Sequence, residues 1–261
     1  MTFKTMLIFL TLLSVSCNNE AASRRKKISN IKAAIADNNP YPTIATIPLP
    51  EGFERISADS NSFAEWLRGR HLKEDKTVHL YDGSLKKNQL AQFAVLDISV
   101  GDKNLQQCAD AVMRLRAEYL FDKKRFAEIV FTDNNKTNYA FEPPYSRAHF
   151  SDYLQLVFGM CGSASLAKQL KTVTHFSDII PGDVLIRGGF PGHAEIVMDV
   201  ASNKKGEKIF MLAQSYMPAQ DIHVLLNPEK TETTPWYSIN DGDENIITPE
   251  YLFVKSALKQ W

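Results

Sequence analysis

Two largely apolar runs late in the chain, residues 194–200 and 208–213, flank the polar stretch Ser202-Asn203-Lys204-Lys205-Gly206. Short apolar runs around a Gly-containing polar turn predict a β-hairpin. With the turn on those five residues, Ala201 faces Glu207 and, counting outward, His193 faces Ser215. A slip of one residue puts Gln214 opposite instead. Side chains alternate along a strand, so His193, Glu195, Val197 and Asp199 share one face and Ala194, Ile196, Met198 and Val200 the other. The second face is wholly apolar and belongs to a core, which leaves the His193 face to look at something else.

The strongest helical pattern covers residues 104–121, with Leu105, Cys108, Ala109, Val112, Leu115, Ala117 and Tyr119 largely at helical spacing and Asp102 or Asn104 as the N-cap. Upstream, residues 62–67 read as a short helix carrying Trp66. Residues 77–81 and 92–98 read as a second hairpin turning at Asp82-Gly83. Residues 122–144 are turn-rich, a strand plus loops. Helix is expected over 151–160 and 163–170, interrupted at Cys161-Gly162, then a turn into a strand over 179–186. The tail, 220–226 and 235–261, is expected to close the sheet and end in a helix. A helix followed by consecutive antiparallel strands is an α+β arrangement.

The N-terminus changes the compartment. Lys4, an apolar run over residues 6–13 and Ser14-Val15-Ser16-Cys17 resemble a bacterial lipoprotein signal ending in the lipidated Cys17. The run is too short to span a bilayer. Three segments are expected: the signal peptide 1–17, a tether and extended lead-in over 18–50 with Pro40, Pro42, Pro48 and Pro50, and a single α+β domain over 51–261. Cleavage leaves 245 residues at a net charge of about −1, so nothing in the balance suggests a nucleic-acid partner and none is expected. At 44 % hydrophobic residues the chain buries a sizeable core. Arg24-Arg25-Lys26-Lys27, just after the anchor, is either a headgroup contact or a solvated tether. Expected partners are therefore the membrane, through Cys17, and material of the cell envelope.

Besides Cys17 there are two cysteines, Cys108 and Cys161, so no disulfide framework holds the fold. No zinc-type Cys/His spacing and no phosphate-binding Gly-rich loop occurs, and the chemistry requires no metal or organic cofactor. Cys108 falls in the first turn of the long helix, where free N–H groups and the helix dipole favour a thiolate. Cys161 precedes another possible helix start and is the rival. Between nucleophile and His193 the chain must finish a helix, return and lay down a strand: 85 residues separate Cys108 from His193 and 32 separate Cys161 from it, so Cys108 is favoured. His193 is the general base and Gln214 orients its ring, with Ser215 as the register-slip alternative. Gln107 and the Cys108 N–H are oxyanion donors. Trp66, Tyr216, Trp236 and Tyr237 are candidate cleft walls. His71, His79, His149, His175 and His223 have no partner pattern and read as surface or loop residues.

These residues carry a resemblance. Pro181-Gly182-Asp183-Val184-Leu185 followed by Gly192-His193-Ala194-Glu195-Ile196-Val197 resembles the corresponding segment of papain-like murein hydrolases, the NlpC-type peptidases and the cysteine- and histidine-dependent amidohydrolase/peptidases. Gln107-Cys108 at a helix start resembles the second group, whose third polar residue lies on the strand after the histidine, where Gln214 stands. That resemblance implies a papain-like core, a Cys-bearing helix on an antiparallel sheet with insertions, and a catalytic set of Cys108, His193 and Gln214. More broadly, Trp66-Leu67-Arg68, residues 105–120, Gly182-Asp183, Pro191-Gly192-His193 and residues 213–220 resemble a bacterial lipoprotein family described as domain of unknown function 4846. The expected function is a cell-envelope cysteine peptidase or amidase acting on peptidoglycan stem peptides. The alternative is an inactive envelope lipoprotein binding glycopeptide or a protein. A sulfur within about 4 Å of an imidazole nitrogen at an open cleft separates the two.

Overall fold

The computed structural model describes residues 38–238 and 244–261. The signal peptide, Cys17, the basic block and the tether up to residue 37 lie outside the described residues. Among the described residues four α-helices, α1 (Phe63–Arg68), α2 (Cys108–Asp122), α3 (Arg147–Met160) and α4 (Ser163–Gln169), accompany thirteen strands. In chain order these are β1 (Phe53–Arg55), β2 (Gln92–Val95), β3 (Val130–Thr132), β4 (Asn138–Ala140), β5 (Lys171–Thr172), β6 (Val184–Arg187) and β7 (His193–Asn203). Then follow β8 (Lys208–Gln214), β9 (His223–Leu225), β10 (Trp236–Ser238), β11 (Asn245–Ile247), β12 (Leu252–Val254) and β13 (Leu258–Gln260). The fold is α+β, as expected.

One antiparallel sheet runs β2-β9-β8-β7-β6-β13-β5, with β1 added to β7 and β10 to β8. The long β7 lies at its centre. One face packs on the helices: Ala194, Ile196 and Met198 of β7 join Val112, Leu115 and Met113 of α2 in the larger core. The opposite face, with Leu185, Val197, Val200 and Leu212, is covered by Tyr237, Ile246 and Phe253. Both faces of β7 are therefore buried, which explains the nearly unbroken apolar run around its polar residues.

The β7–β8 hairpin forms, but in another register. Ala201 pairs with Ile209 rather than Glu207, because Asn203 builds the turn: its N–H donates to Glu207 O (3.0 Å) and its Oδ1 accepts from the N–H groups of Lys205 and Glu207. The turn thus lies one residue later than the polar stretch suggested, which moves the partner of Ala201 by two. A bulge between Val197 and Asp199 then shifts the pairing so that Ile196 meets Ala213. A bulge adds a residue to one strand and reverses the alternation beyond it. Asp199 consequently leaves the His193 face and meets the arginines of β1 and α1, Arg55 at 2.6 Å and Arg68 at 2.8 Å.

Several other expectations change. The long helix begins at Cys108 with Gln107 as N-cap, not at residue 104, since Asn104 Oδ1 instead accepts the Ala219 N–H at 2.8 Å. The strand at 92–95 pairs with β9, not with residues 77–81; around Asp82-Gly83 only a tight turn closed by a His79–Leu85 bridge remains. The C-terminus ends in β13, not in a helix, because Leu258 pairs with Leu185 and inserts into the sheet. From Asn39 onward the lead-in is built into the domain, with Ile44 and Ile47 in the larger core. The break at Cys161-Gly162 between α3 and α4 is present as expected.

Candidate active site

Cys108 opens α2 as its first residue, and the first intrahelical bond is Ala111 N–H to Gln107 O. The N–H groups of the preceding residues have no intrahelical acceptor and form the positive end of the helix. Asp110 closes this end by accepting the Gln107 N–H at 2.9 Å. The half-buried Cys108 thiol lies beside the buried ring of His193, the first residue of β7, and both line the same cleft. His193 Nε2 lies 2.6 Å from Gln214 Oε1, the last residue of β8. With Nε2 committed to Gln214, Nδ1 is left for the sulfur. The three residues are not cross-strand partners: Arg187 pairs with His193 and His223 with Gln214. Their side chains meet diagonally at the end of the sheet that abuts the α2 N-terminus.

The approach to His193 depends on close packing. A Cβ at Gly192 would collide with the carbonyl oxygens of Gly189 and Arg187 and with Ser163 Oγ. The Gly182 turn has φ +97°, and a Cβ there would press on the Phe63 ring. Gly182 N–H donates to Val197 O and the Val197 N–H to Asp183 O, so the Pro181-Gly182-Asp183 motif pins the strand edge beside the bulge.

An open cleft of about 520 Å³ passes over this site. Its floor and walls include Cys108, His193, Gln107, Tyr216, Tyr251 and Cys161, and the rim carries Met217 and a fully exposed Phe190. The His193 ring is held between Tyr216, at 4.8 Å between centroids, and Tyr251, at 4.9 Å. Of the four aromatics expected as cleft walls, Tyr216 lines it. Trp66, Trp236 and Tyr237 are core residues, with Trp66 Nε1 bonded to Asp122 and the Tyr237 hydroxyl to Leu226 O.

The two cysteines share the cleft but not their surroundings. Cys161 follows the last turn of α3, the negative end of a helix, and burial together with Asp133 and Asp110 pushes its thiol up to about 11. A group so placed stays protonated at neutral pH. For His193, burial works against the charged ring, but the contacts with Cys108 and Glu195 outweigh it and raise its pKa to about 10.

Glu195 is the residue whose importance the sequence pattern understated. Alternation put it on the His193 face, and its Oε1 indeed lies 3.5 Å from His193 Nε2 while accepting the Thr248 hydroxyl at 2.9 Å. Its Oε2 has no partner among the described residues, and burial raises its pKa. His223, expected at the surface, is buried directly behind Gln214 at 3.3 Å; the signal was its place in an apolar stretch, Ile222 to Leu226. Ser215 does not orient the ring. Its Oγ lies 2.9 Å from both Gln106 O and Gln220 O and anchors the loop leading into Cys108.

Asp110 yields a stability test. Burial pushes its carboxyl up to about 8. The folded protein therefore holds this proton more tightly than the unfolded chain, where the pKa is about 3.9. The resulting stabilisation is complete below that value and is lost as pH rises through about 8. Asp110→Asn keeps an acceptor for the Gln107 N–H without ionising. Its melting temperature is expected to exceed the wild type's by about 5 °C at high pH and to match it near pH 4. A gap independent of pH would refute this assignment.

A family profile described as Domain of unknown function (4846) matches residues 44–143 and 133–260. Comparison with curated proteins and with solved structures yields no match.

Proposed function

The chain belongs to the family described as domain of unknown function 4846, which brings no reaction with it, and from the cleft we propose that it is a cysteine peptidase or amidase. The observation that carries this reading is the Cys108 thiol beside the His193 ring in one open cleft, with Gln214 on the far ring nitrogen. A thiol at a helix N-terminus, an imidazole to take its proton and an amide to orient the ring are the parts of a papain-like site. The sheet end against the Cys-bearing helix tip fits a papain-like core with insertions.

In the proposed reaction the Cys108 thiolate, paired with a His193 imidazolium that holds the proton on Nδ1, attacks an amide carbonyl. The tetrahedral oxyanion receives hydrogen bonds from the Cys108 N–H and the Gln107 side chain, which lines the cleft. Collapse expels the amine, which takes the proton from His193, and leaves a thioester. Water, giving a proton to the now neutral His193, hydrolyses that thioester to the carboxylic acid and restores the thiolate–imidazolium pair. No metal takes part. The substrate class follows from the compartment: a chain anchored at Cys17 in the bacterial cell envelope meets peptidoglycan stem peptides.

The test is alkylation by iodoacetamide near neutral pH, with the labelled residue identified by peptide mass. Cys108 is expected to react at least about tenfold faster than Cys161, and His193→Ala to remove that advantage. Equal, slow labelling of both thiols in the wild type would sink the proposal and favour the binding lipoprotein.

A further inference from the structure

Behind the cleft, donor and acceptor bookkeeping leaves the Gln214 amide a single orientation. His223 Nδ1 lies 2.9 Å from Asp221 O. A carbonyl only accepts, so Nδ1 carries the hydrogen and Nε2 presents a lone pair. Burial, with Lys86 nearby, lowers the His223 pKa to about 4, so the ring is neutral. Gln214 Nε2 sits 3.3 Å from that lone pair and 2.7 Å from Glu250 Oε2. Both amide hydrogens thus meet acceptors, and Oε1 is turned to His193 Nε2.

Glu250 is itself fixed. Its Oε2 accepts from Lys86 Nζ at 2.7 Å and its Oε1 from Asn88 Nδ2 at 3.0 Å, while Lys86 Nζ also donates to Asn88 O at 2.8 Å. Lys86 is buried, and the next residue after Glu250 is Tyr251, whose ring packs on His193. A flipped Gln214 would set its oxygen against a carboxylate and a ring lone pair together. Its NH₂ would then face His193 and call for the opposite neutral tautomer, with hydrogen on Nδ1, where the lone pair for the proton of the hydrolytic water is needed.

We propose that Glu250, held by Lys86 and assisted by His223, is a positioning residue that locks the Gln214 amide and thereby keeps neutral His193 in the Nε2–H tautomer. The inference rests on the cysteine-hydrolase reading for its purpose, but not for its geometry. Ion pairs remote from the sulfur act here through two intervening side chains, as outer-shell partners do at metal-bound histidines.

The test is imidazole ¹⁵N NMR of the full protein in the Cys108→Ala background, which removes the thiol contact that raises the His193 pKa, at a pH where the ring is neutral. Iodoacetamide kinetics at Cys108 are followed alongside in the protein that keeps the thiol. In Cys108→Ala with the ring neutral, His193 is expected as Nε2–H and His223 as Nδ1–H. Lys86→Met/Glu250→Leu removes both charges at once and so leaves no lone buried ion. It is expected to give a tautomer mixture at His193 and a fall in Cys108 alkylation of roughly tenfold or more. Glu250→Gln, which keeps an acceptor oxygen, is expected to stay near the wild-type rate. A neutral His193 that carries its hydrogen on Nδ1 and none on Nε2 overturns the proposal, as does a folded double variant with unchanged tautomer and rate. If wild-type alkylation does not depend on His193, the hydrolase reading fails, while the tautomer spectra still decide the positioning role.

Discussion

Cys108→Ala is expected to lower the release of soluble peptides from purified bacterial peptidoglycan by roughly 10⁴-fold or more, to the background of the assay. The size follows from the loss of the covalent route itself: without sulfur no thioester forms, and His193 faces a methyl group. Residues acting as one unit fail together, so His193→Ala is expected to fall to a similar level. Cys161→Ala is expected to keep nearly full activity, because that thiol lies at the negative end of α3 with its pKa raised. The variants are to be compared at matched folded fraction, by following soluble product against time. Retained turnover in Cys108→Ala would remove this thiol from the reaction.

The second large effect concerns stability. Asp199→Ala is expected to cost about 3–5 kcal/mol in urea unfolding, the loss seen when one partner is cut from a buried charge cluster. Asp199 is fully buried, and its two oxygens take Arg55 Nε at 2.6 Å and Arg68 Nε at 2.8 Å. Each guanidinium also holds a backbone carbonyl, Arg55 that of Ile47 at 2.7 Å and Arg68 that of Ile56 at 2.8 Å. The cluster thus fastens the lead-in strand and α1 to the centre of the sheet. Removing the carboxylate leaves two cations facing each other with little water, which is why the loss exceeds that of a surface pair. A loss below about 1 kcal/mol would mean that the arginines find solvent on their own.

These effects bear on how the site is assembled. Cys108 depends on the α2 N-terminus, His193 on the start of β7, and Gln214 on the end of β8. α2 packs on β7 through the larger core, so the helix tip and the strand end keep a fixed distance. The ring of His193 is clamped by Tyr216 and Tyr251. Little of the geometry rests on the rim loops, where Phe190 and Met217 stand exposed.

The amino-acid sequence by itself determined the α+β class, the long Cys-bearing helix, the hairpin that follows and the residues that meet. Each of those rests on local physics: apolar periodicity, a Gly-containing turn, and a cysteine within one turn of a helix start. Register was beyond its reach, because the Asn203 turn and the bulge at Val197–Asp199 shift the pairing by a residue or two without altering the apolar pattern. The same bulge turned Asp199 toward the arginines. Only the tertiary structure brought Glu250 and Lys86 behind Gln214, since they come from segments 36 and 128 residues away along the chain. It alone buried His223 and Glu195 against the site and sent the C-terminus into the sheet as β13. Contacts between distant segments are set by how whole faces pack, and no local spacing encodes them.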